Sequence, residues 1–190
     1  MSGAPVSICT SARQWLIGVL AARPLAAGDI AEVGVYKGGS ASLLAQLFPD
    51  RSVHLFDTFC GIPDVATEFD NHHKCGDFSD TSLIEVQAAL AKQPNVQFHV
   101  GVFPDTAGEL IDTKFAFVHV DCDVYNSVRA CCEFFYPRMV SGGVLVFDDY
   151  HVWSCLGAKR AIDQFFEDKS DKLVLPPITG GGCYVLATGQ

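Results

Sequence analysis

The chain has 190 residues, of which 49% are apolar and 18% charged, and this composition is typical of one globular domain and excludes a disordered chain. Its formal charge of −9 and isoelectric point near 4.9 argue against non-specific binding to nucleic acid or to an anionic membrane, which requires a basic face. We therefore expect neither a nucleic-acid nor a membrane partner.

The eight cysteines are scattered among apolar residues, and no two of them form a CxxC pair. This usage is typical of reduced, buried cysteines, so we predict a cytoplasmic protein. The ligand spacing of a zinc motif is absent.

The first helix is expected over residues 14–22, "QWLIGVLAA", with Ser11 as its cap. Its apolar residues recur at helical spacing, which favours a surface helix. The alternative is a short signal-peptide core, because the stretch follows Arg13. No apolar run approaches the ~20 residues of a membrane helix.

Strands and helices alternate along the rest of the chain. Strands are expected over residues 29–35, 52–57, 95–101, 114–121, 142–148, 172–176 and 182–188. Helices are expected over residues 38–48, 82–92, 126–139 and 157–168. Ser82 with Glu85 matches a capping box, and Pro137 marks the end of the fourth helix of the chain.

This alternation predicts an α/β fold with a doubly wound, mostly parallel, seven-stranded sheet. The strands are near-continuous apolar runs, as in a sheet that is covered on both faces. The last two strands, joined by a Pro/Gly-rich turn, are expected to form an antiparallel hairpin. Ligands of such sheets bind at the carboxyl ends of the strands.

Residues 58–81 show no clear periodicity and follow the second strand directly. A loop of this length in a compact domain is usually functional or disordered. We expect it to cover a ligand, and a flexible insertion is the alternative.

The stretch "EVGVYKGGS" at residues 32–40 joins a strand to a helix through a glycine turn. Gly34 permits a tight turn and the close approach of a ligand, and the helix that follows presents free N–H groups. Asp57 ends the second strand, where a carboxylate can accept hydrogen bonds from ribose hydroxyls. Together these features indicate a cofactor that contains adenosine. An ordinary β-to-α turn and an ordinary strand-end aspartate are the alternatives.

Two neighbouring strands end in pairs of aspartates, Asp121 with Asp123 and Asp148 with Asp149. Their mutual repulsion is costly unless a cation neutralises the pairs or some of them keep a proton. Oxygen ligands alone suit a hard ion such as Mg²⁺. The pattern predicts a metal site, and solvated turn residues are the alternative.

Several histidines and tyrosines are weaker candidates that structural roles would also explain. They are His72, His73, His119, His151, Tyr125 and Tyr150.

Seven motifs between residues 30 and 168 occur in the order typical of one family. They are "EVGVYKGGSA", "FDTFCGIPD", "GDFSDTS", "GVFPDT", "HVDCDVYNS", "YPRMVSGGVLVFDDY" and "GAKRAIDQFF". In these motifs the chain resembles the macrocin O-methyltransferase (TylF-type) family of class I, Rossmann-like methyltransferases. The resemblance implies a transferase that uses S-adenosylmethionine and a divalent metal, usually Mg²⁺, to methylate hydroxyls on sugars of natural products.

The resemblance also implies roles for individual residues. Asp121, Asp148 and Asp149 match the metal ligands, and Asp123 matches the general base. The expected cofactor-binding residues are Glu32, Gly34, Tyr36, Ser40, Asp57, Thr58, Asp77 and Phe78.

We therefore expect residues 1–190 to form a single S-adenosylmethionine-dependent methyltransferase domain, with a short N-terminal helix in 1–28 and an active-site loop in 58–81. Family members usually carry a longer N-terminal portion that helps to assemble oligomers. The resemblance therefore leaves open whether this chain forms a homo-oligomer. The expected partner is a small molecule with a hydroxyl group. The alternatives are a methyltransferase for catechol-type phenols and a non-catalytic cofactor-binding module.

Overall fold

The computed structural model describes residues 10–176 and 182–189. Five helices lie in the described residues: α1 (Ser11–Ala21), α2 (Gly39–Leu47), α3 (Leu83–Ala89), α4 (Tyr125–Phe135) and α5 (Leu156–Phe166). The strands are β1 (Asp29–Val33), β2 (Val53–Asp57), β3 (Val96–Val100), β4 (Phe115–Val120), β5 (Met139–Phe147), β6 (Leu173–Val174) and β7 (Cys183–Leu186). Short 3₁₀ turns occupy Asp105–Leu110 and Tyr136–Arg138.

All seven strands form one sheet in the order β3-β2-β1-β4-β5-β7-β6. The first five strands in this order are parallel, and β7 pairs antiparallel with both β5 and β6. This confirms the predicted doubly wound sheet with an antiparallel C-terminal pair. The turn predicted between the last two strands falls partly on residues 177–181, outside the described residues. Strand order reverses between β1 and β4, which is where sheets of this kind bind ligands.

Both faces of the sheet are covered by helices. One apolar core lies between the sheet and α4 with α5, and it contains Phe135, Ile162 and Phe166. A second core lies on the opposite face against α1, α2 and α3, and it contains Ile17 and Leu44. Every residue of β4 is buried, as expected of a central strand that packs on both sides.

Two predicted helix caps differ from those observed. Helix α1 starts at Ser11, and its cap is Thr10, whose hydroxyl accepts a hydrogen bond from the Arg13 N–H at 3.3 Å. Ser82 precedes α3 as predicted, but its side chain makes no capping hydrogen bond, so the capping box is not formed. Thr10 and Ser11 can both cap a helix, and the local backbone conformation places Thr10 at the cap position of α1.

Two predicted boundaries also shift. The helix predicted over 126–139 ends at Phe135, and Pro137 lies in the 3₁₀ turn that follows. Strand β5 starts at Met139, earlier than predicted, because Met139 pairs with Phe115 of β4. None of the helices within residues 10–176 and 182–189 is both long and apolar enough to cross a bilayer.

Candidate active site

A cavity of about 240 Å³ opens where the parallel strands of the sheet end. Residues that follow each of β1, β2, β3, β4 and β5 contribute to its wall, and Arg13 of α1 reaches it from the side. Predicted site residues on the wall are Gly34, Tyr36, Asp57, Thr58, Phe78, Asp121, Asp123 and Asp149. The fold therefore brings most of the predicted set to one place.

The turn after β1 depends on Gly34. Its φ is +90°, and a Cβ added there would lie 1.8 Å from the carbonyl oxygen of Asp121. Only glycine permits this approach between the ends of β1 and β4. The turn is braced by Asp57, whose carboxylate accepts hydrogen bonds from the N–H groups of Val35 and Tyr36 at 2.8 Å and of Phe59 at 2.7 Å.

The loop 58–81 is fastened to the rest of the domain at several points. The Asp70 carboxylate accepts the N–H of Ala66 at 2.8 Å and the N–H of Tyr125, at the start of α4, at 3.0 Å. Asn126 donates to Asp64 at 2.7 Å. These contacts favour an ordered loop over a flexible insertion. Its two ends supply cavity-lining residues, among them Thr58, Gly61, Ile62, Pro63 and Phe78.

Three of the four predicted acidic residues form a compact cluster. Carboxylate oxygens of Asp121, Asp148 and Asp149 all lie within 4.8 Å of one another. The Arg13 guanidinium bridges two of them: Nη1 lies 2.5 Å from Asp121 Oδ2, Nε donates to Asp148 Oδ1 at 2.9 Å, and Nη2 contacts Asp148 Oδ2. The cluster thus accommodates a positive charge, and its all-oxygen donor set fits a hard divalent cation.

The two carboxyls that contact Arg13 differ in the direction of their pKa shifts. Burial disfavours the charge of Asp148, but His119 and Arg13 outweigh burial and hold the pKa of Asp148 below its usual range. Burial and the charge of Asp148 raise the pKa of Asp121 to about 7, although Arg13 opposes this shift.

On the opposite side, burial raises the pKa of Asp149 and of the neighbouring Asp123. Burial, together with the charges of Asp121 and Asp123, raises the pKa of Asp149 well above its usual range. Burial also raises the pKa of Asp123. The backbone of Asp123 is left-handed, with a φ of +60°, and its N–H donates to Asp149 Oδ2 at 3.1 Å. This conformation brings Asp123 back to the cavity wall.

Glu32 and His119 form a fully buried pair beneath the cluster. His119 Nδ1 lies 2.8 Å from Glu32 Oε1, and His119 Nε2 lies 3.8 Å from Asp148 Oδ1. Burial lowers the pKa of His119, but the carboxylates of Asp148 and Glu32 prevail and raise it to about 10. His119 therefore supports the ionised form of Asp148. Glu32, predicted to contact the cofactor, is fully buried and is not part of the cavity wall.

Two other predicted cofactor-binding residues also lie off the cavity wall. Ser40 is buried in the first turn of α2. Asp77 lies in the loop, where Oδ2 accepts the N–H of Lys74 at 3.0 Å.

A second group of metal-ligating side chains lies beside Asp123. Cys155 Sγ lies 3.4 Å from His73 Nε2 and 3.6 Å from Asp123 Oδ1. The sequence singled out His73 only as a weak candidate and gave no role to Cys155. No local spacing could have identified the group, because its members lie far apart in the chain.

The remaining weak candidates lie elsewhere. The hydroxyl of Tyr125 donates to Gln164, that of Tyr150 donates to Asp163, and the ring of His72 packs on Trp153. His151 is exposed. None of these four side chains is part of the cavity wall in the described residues.

Sequence reasoning missed Arg13 as a site residue, and it missed several cavity-lining residues. These include Val102, Phe103 and Ser127. Val102 and Phe103 follow β3, so their place at a strand's carboxyl end was available as a signal. No such signal marked Arg13, because it lies in a helix more than a hundred positions away in sequence from Asp121 and Asp148.

Comparison with known proteins agrees with this architecture. The chain is 28% identical over 164 residues to demethyldecarbamoylnovobiocin O-methyltransferase of Streptomyces niveus, covering 77% of this chain and 62% of the relative. It is 30% identical over 167 residues to mycinamicin III 3''-O-methyltransferase of Micromonospora griseorubida, covering 77% of this chain and 64% of the relative. The chain thus spans less than two thirds of the length of these curated relatives.

Solved structures show the same fold. The O-methyltransferase NovP superimposes with a TM-score of 0.74 at 30% identity, covering 85% of this chain and 72% of NovP. The calicheamicin methyltransferase CalS11 superimposes with a TM-score of 0.75 at 22% identity, covering 91% of this chain and 77% of CalS11. The model of the macrocin-O-methyltransferase (TylF) family matches residues 21–184. The resemblance found in the sequence motifs is confirmed: the chain belongs to the macrocin-O-methyltransferase (TylF) family.

Proposed function

We propose that the chain is a metal-dependent O-methyltransferase that moves a methyl group from S-adenosylmethionine to a hydroxyl of a small molecule, namely a sugar of a natural product. The observation that carries this proposal is the cluster of Asp121, Asp148 and Asp149, of which Asp121 and Asp149 line the cavity. A binding module without catalysis has no need for converging buried carboxylates, whose repulsion costs stability.

We propose that Asp121, Asp148 and Asp149 hold a hard divalent cation such as Mg²⁺. Such a cation, when bound, supplies Lewis acidity that lowers the pKa of an acceptor hydroxyl. The chain's own contribution is the position of the three carboxylates. Asp148 is kept ionised by His119, which in turn is held by Glu32. Glu32 therefore supports the metal site in this proposal, at a distance from the cofactor.

The methyl donor would occupy the cavity beside the Gly34 turn. S-adenosylmethionine supplies an electrophilic methyl group on its sulfonium. The backbone N–H bonds to Asp57 use three of the roughly four acceptor sites of that carboxylate, which leaves one for a ribose hydroxyl. Phe78 and Tyr36, whose rings meet edge to face at 5.8 Å, provide an apolar wall. Thr58, Ser40 and Asp77 shape the surrounding loop and helix start.

Asp123 is the proposed general base. Its carboxyl lies at the cavity wall next to the metal cluster but outside it. Burial raises its pKa towards the working pH, where a base is most effective. Asp123 would accept the proton of the acceptor hydroxyl as the oxygen attacks the methyl carbon. The cavity would hold oxygen, carbon and sulfur in line.

The choice of a sugar acceptor is taken from the relatives. Their names describe O-methylation of a novobiocin precursor and of a mycinamicin, and a third relative, from Streptomyces olivaceus, is named for 4'-O-methylation of a rhamnosyl-tetracenomycin. We also propose that residues 1–190 act as one methyltransferase domain, with 58–81 as its active-site loop, and that the protein is cytoplasmic.

The proposal is tested by calorimetric titration of the metal-stripped protein with S-adenosylhomocysteine, with and without Mg²⁺. We expect cofactor binding, and Mg²⁺ binding that is lost in Asp148→Asn and retained in Asp50→Asn, an exposed aspartate far from the cluster. Cofactor binding with unchanged Mg²⁺ binding in Asp148→Asn would contradict the metal assignment. Absence of cofactor binding would contradict the methyltransferase assignment.

The acceptor class is tested by a turnover screen of deoxysugar-bearing natural products beside simple catechols. Turnover confined to the sugar compounds is the expected result. Turnover confined to catechols would replace the sugar assignment with that of a phenol methyltransferase.

A further inference from the structure

The structure holds a group of metal-ligating side chains that the proposed reaction does not use as ligands. We propose that His73, Asp123 and Cys155 form a second cation site, selective for thiophilic divalent ions such as Zn²⁺. The three residues come from the loop 58–81, from the end of β4 and from the N-cap of α5. Their coming together is a result of the tertiary fold alone.

The distances fit a tetrahedral ion. Zinc binds sulfur at about 2.3 Å and nitrogen or oxygen at about 2.0–2.2 Å, so two ligands of one ion lie about 3.5 Å apart. The two observed separations from Cys155 Sγ are 3.4 Å to His73 and 3.6 Å to Asp123. One ligand atom from each residue lies within 4.8 Å of the others. Small side-chain rotations would close the set around an ion.

The surroundings of His73 resemble those of a metal-binding histidine. Its Nε2 faces Cys155, and its other ring nitrogen, Nδ1, lies 3.8 Å from Asp77 Oδ2. A carboxylate behind a ligating imidazole fixes the tautomer and the orientation of the ring. The side chain of His73 is 9% exposed, and Cys155 is 2% exposed. An ion held here would be largely shielded from solvent.

The chemistry of the ligands separates this site from the acidic cluster. On binding an ion, the Cys155 thiol would release its proton to solvent and contribute a thiolate, and His73 would contribute an imidazole. These ligands suit zinc and similar ions, whereas Mg²⁺ prefers the oxygens of the acidic cluster. Three protein ligands leave a fourth position open. The two sites meet at Asp123, whose N–H donates to Asp149.

Occupancy of this site would have a consequence for catalysis, which rests on the proposed function. An ion bound to Asp123 Oδ1 would remove the proposed base and tie the loop 58–81 to α5. Micromolar zinc would then inhibit methyl transfer even when Mg²⁺ is saturating. The binding itself is independent of the methyltransferase reaction and is tested without it.

The test is titration of the full-length protein with Co²⁺ under anaerobic conditions in excess Mg²⁺, without donor or acceptor. We expect one Co²⁺ to bind with the near-ultraviolet charge-transfer band of a cobalt–thiolate bond. The band should vanish in Cys155→Ser, and binding should weaken at least about tenfold in His73→Gln. Asp77→Asn should weaken binding by about 10- to 100-fold.

Matched controls lie next to the proposed ligands. Cys75→Ser replaces an exposed thiol of the same loop, and His72→Gln replaces the neighbouring imidazole that packs on Trp153. Both should keep the band, and so should Asp148→Asn. Absence of the band in the wild-type protein would overturn the proposal. Persistence of the band in Cys155→Ser, or unchanged affinity in His73→Gln, would also overturn it. Because no turnover is measured, failure of the proposed function would leave this result intact.

Discussion

The acidic cluster and the neighbouring Asp123 present two sides that differ in how their negative charge is compensated. On one side, Asp121 and Asp148 face the guanidinium of Arg13, and Asp148 also faces His119. On the other side, Asp149 and Asp123 face each other, and in residues 10–176 and 182–189 neither has a lysine or arginine within ion-pair distance. Asp148 and Asp149 are adjacent in sequence, yet their pKa values shift in opposite directions.

This difference suggests different roles for two of these residues: Asp148 is held ionised, as cation binding requires, whereas burial makes Asp123 more ready to take up a proton. A carboxylate that is already ionised is ready to bind a cation. A carboxyl whose pKa is raised by burial takes up a proton more readily than a solvated one. Neighbouring positions on a chain face different surroundings, and the surroundings decide which role each aspartate can take.

The largest effect is expected from Asp123→Asn, which removes the proposed base on the poorly compensated side. The rate of methyl transfer should fall about 10²- to 10⁴-fold, because the proton of the acceptor hydroxyl would lose its acceptor. Asparagine tolerates the left-handed backbone at this position, so the fold should be kept. Single-turnover kinetics with saturating cofactor and metal measure the change.

The matched control for this variant is Asp50→Asn, which should methylate at the wild-type rate. Binding of S-adenosylhomocysteine to Asp123→Asn should be unchanged. A normal rate in Asp123→Asn would show that another group, or solvent, accepts the proton.

Gly34→Ala should disturb both sides of the acidic edge at once, because the turn at Gly34 packs against the end of β4. The added Cβ would collide with the carbonyl of Asp121 at a φ of +90°, and we expect a loss of about 3 kcal/mol or more in unfolding free energy. Urea denaturation measures the loss.

Gly18→Ala is the control for this substitution. Gly18 lies inside α1, and a Cβ there would meet nothing within 4 Å. It should stabilise the protein by about 0.5–1 kcal/mol. Equal effects of the two substitutions would contradict the close approach between β1 and β4.

Arg13→Gln should act chiefly on the compensated side and cost about 1–3 kcal/mol near neutral pH, because two largely buried carboxylates lose their cation. The loss should be largest above about pH 7, where Asp121 is ionised, and smaller at about pH 5, where Asp121 is protonated. Part of the loss in unfolding free energy should persist at about pH 5, because the lowered pKa of Asp148 keeps that group ionised. Denaturation at about pH 8 and at about pH 5 tests this dependence.

Excess Mg²⁺ should restore part of the stability lost in Arg13→Gln, since a bound cation takes over the compensation. Arg129→Gln, which removes an exposed pair with Glu133 on α4, is the control and should cost at most about 0.5 kcal/mol at either pH. A loss in Arg13→Gln that does not change with pH would mean that packing of the side chain, and not its charge, stabilises the fold.

Much of the fold could be predicted from local pattern. The apolar runs and the glycine turns between them mark the strands, and their alternation with amphipathic helices leads to a parallel sheet. Even β6, which is only two residues long, was anticipated as half of a hairpin. Element ends were less predictable, because Thr10 and Ser11 can both cap a helix and only the backbone selects between them.

The candidate site divides in the same way. The sequence by itself determined that Asp121, Asp123, Asp148 and Asp149 follow two apolar strands, and parallel strands bring their carboxyl ends to one edge. It also determined the need for glycine at residue 34, where the turn leaves no room for a side chain.

Only the tertiary structure decided how those acids are compensated. Arg13 meets Asp148 across 135 positions of sequence, and Cys155 meets His73 across 82. Glu32, which the sequence predicted to bind the cofactor, meets His119 across 87 positions. No local pattern encodes such pairings, because they depend on how helices and loops pack against the finished sheet. Charge compensation and pKa follow from that packing, through burial and distance, and so appear only once the chain has folded.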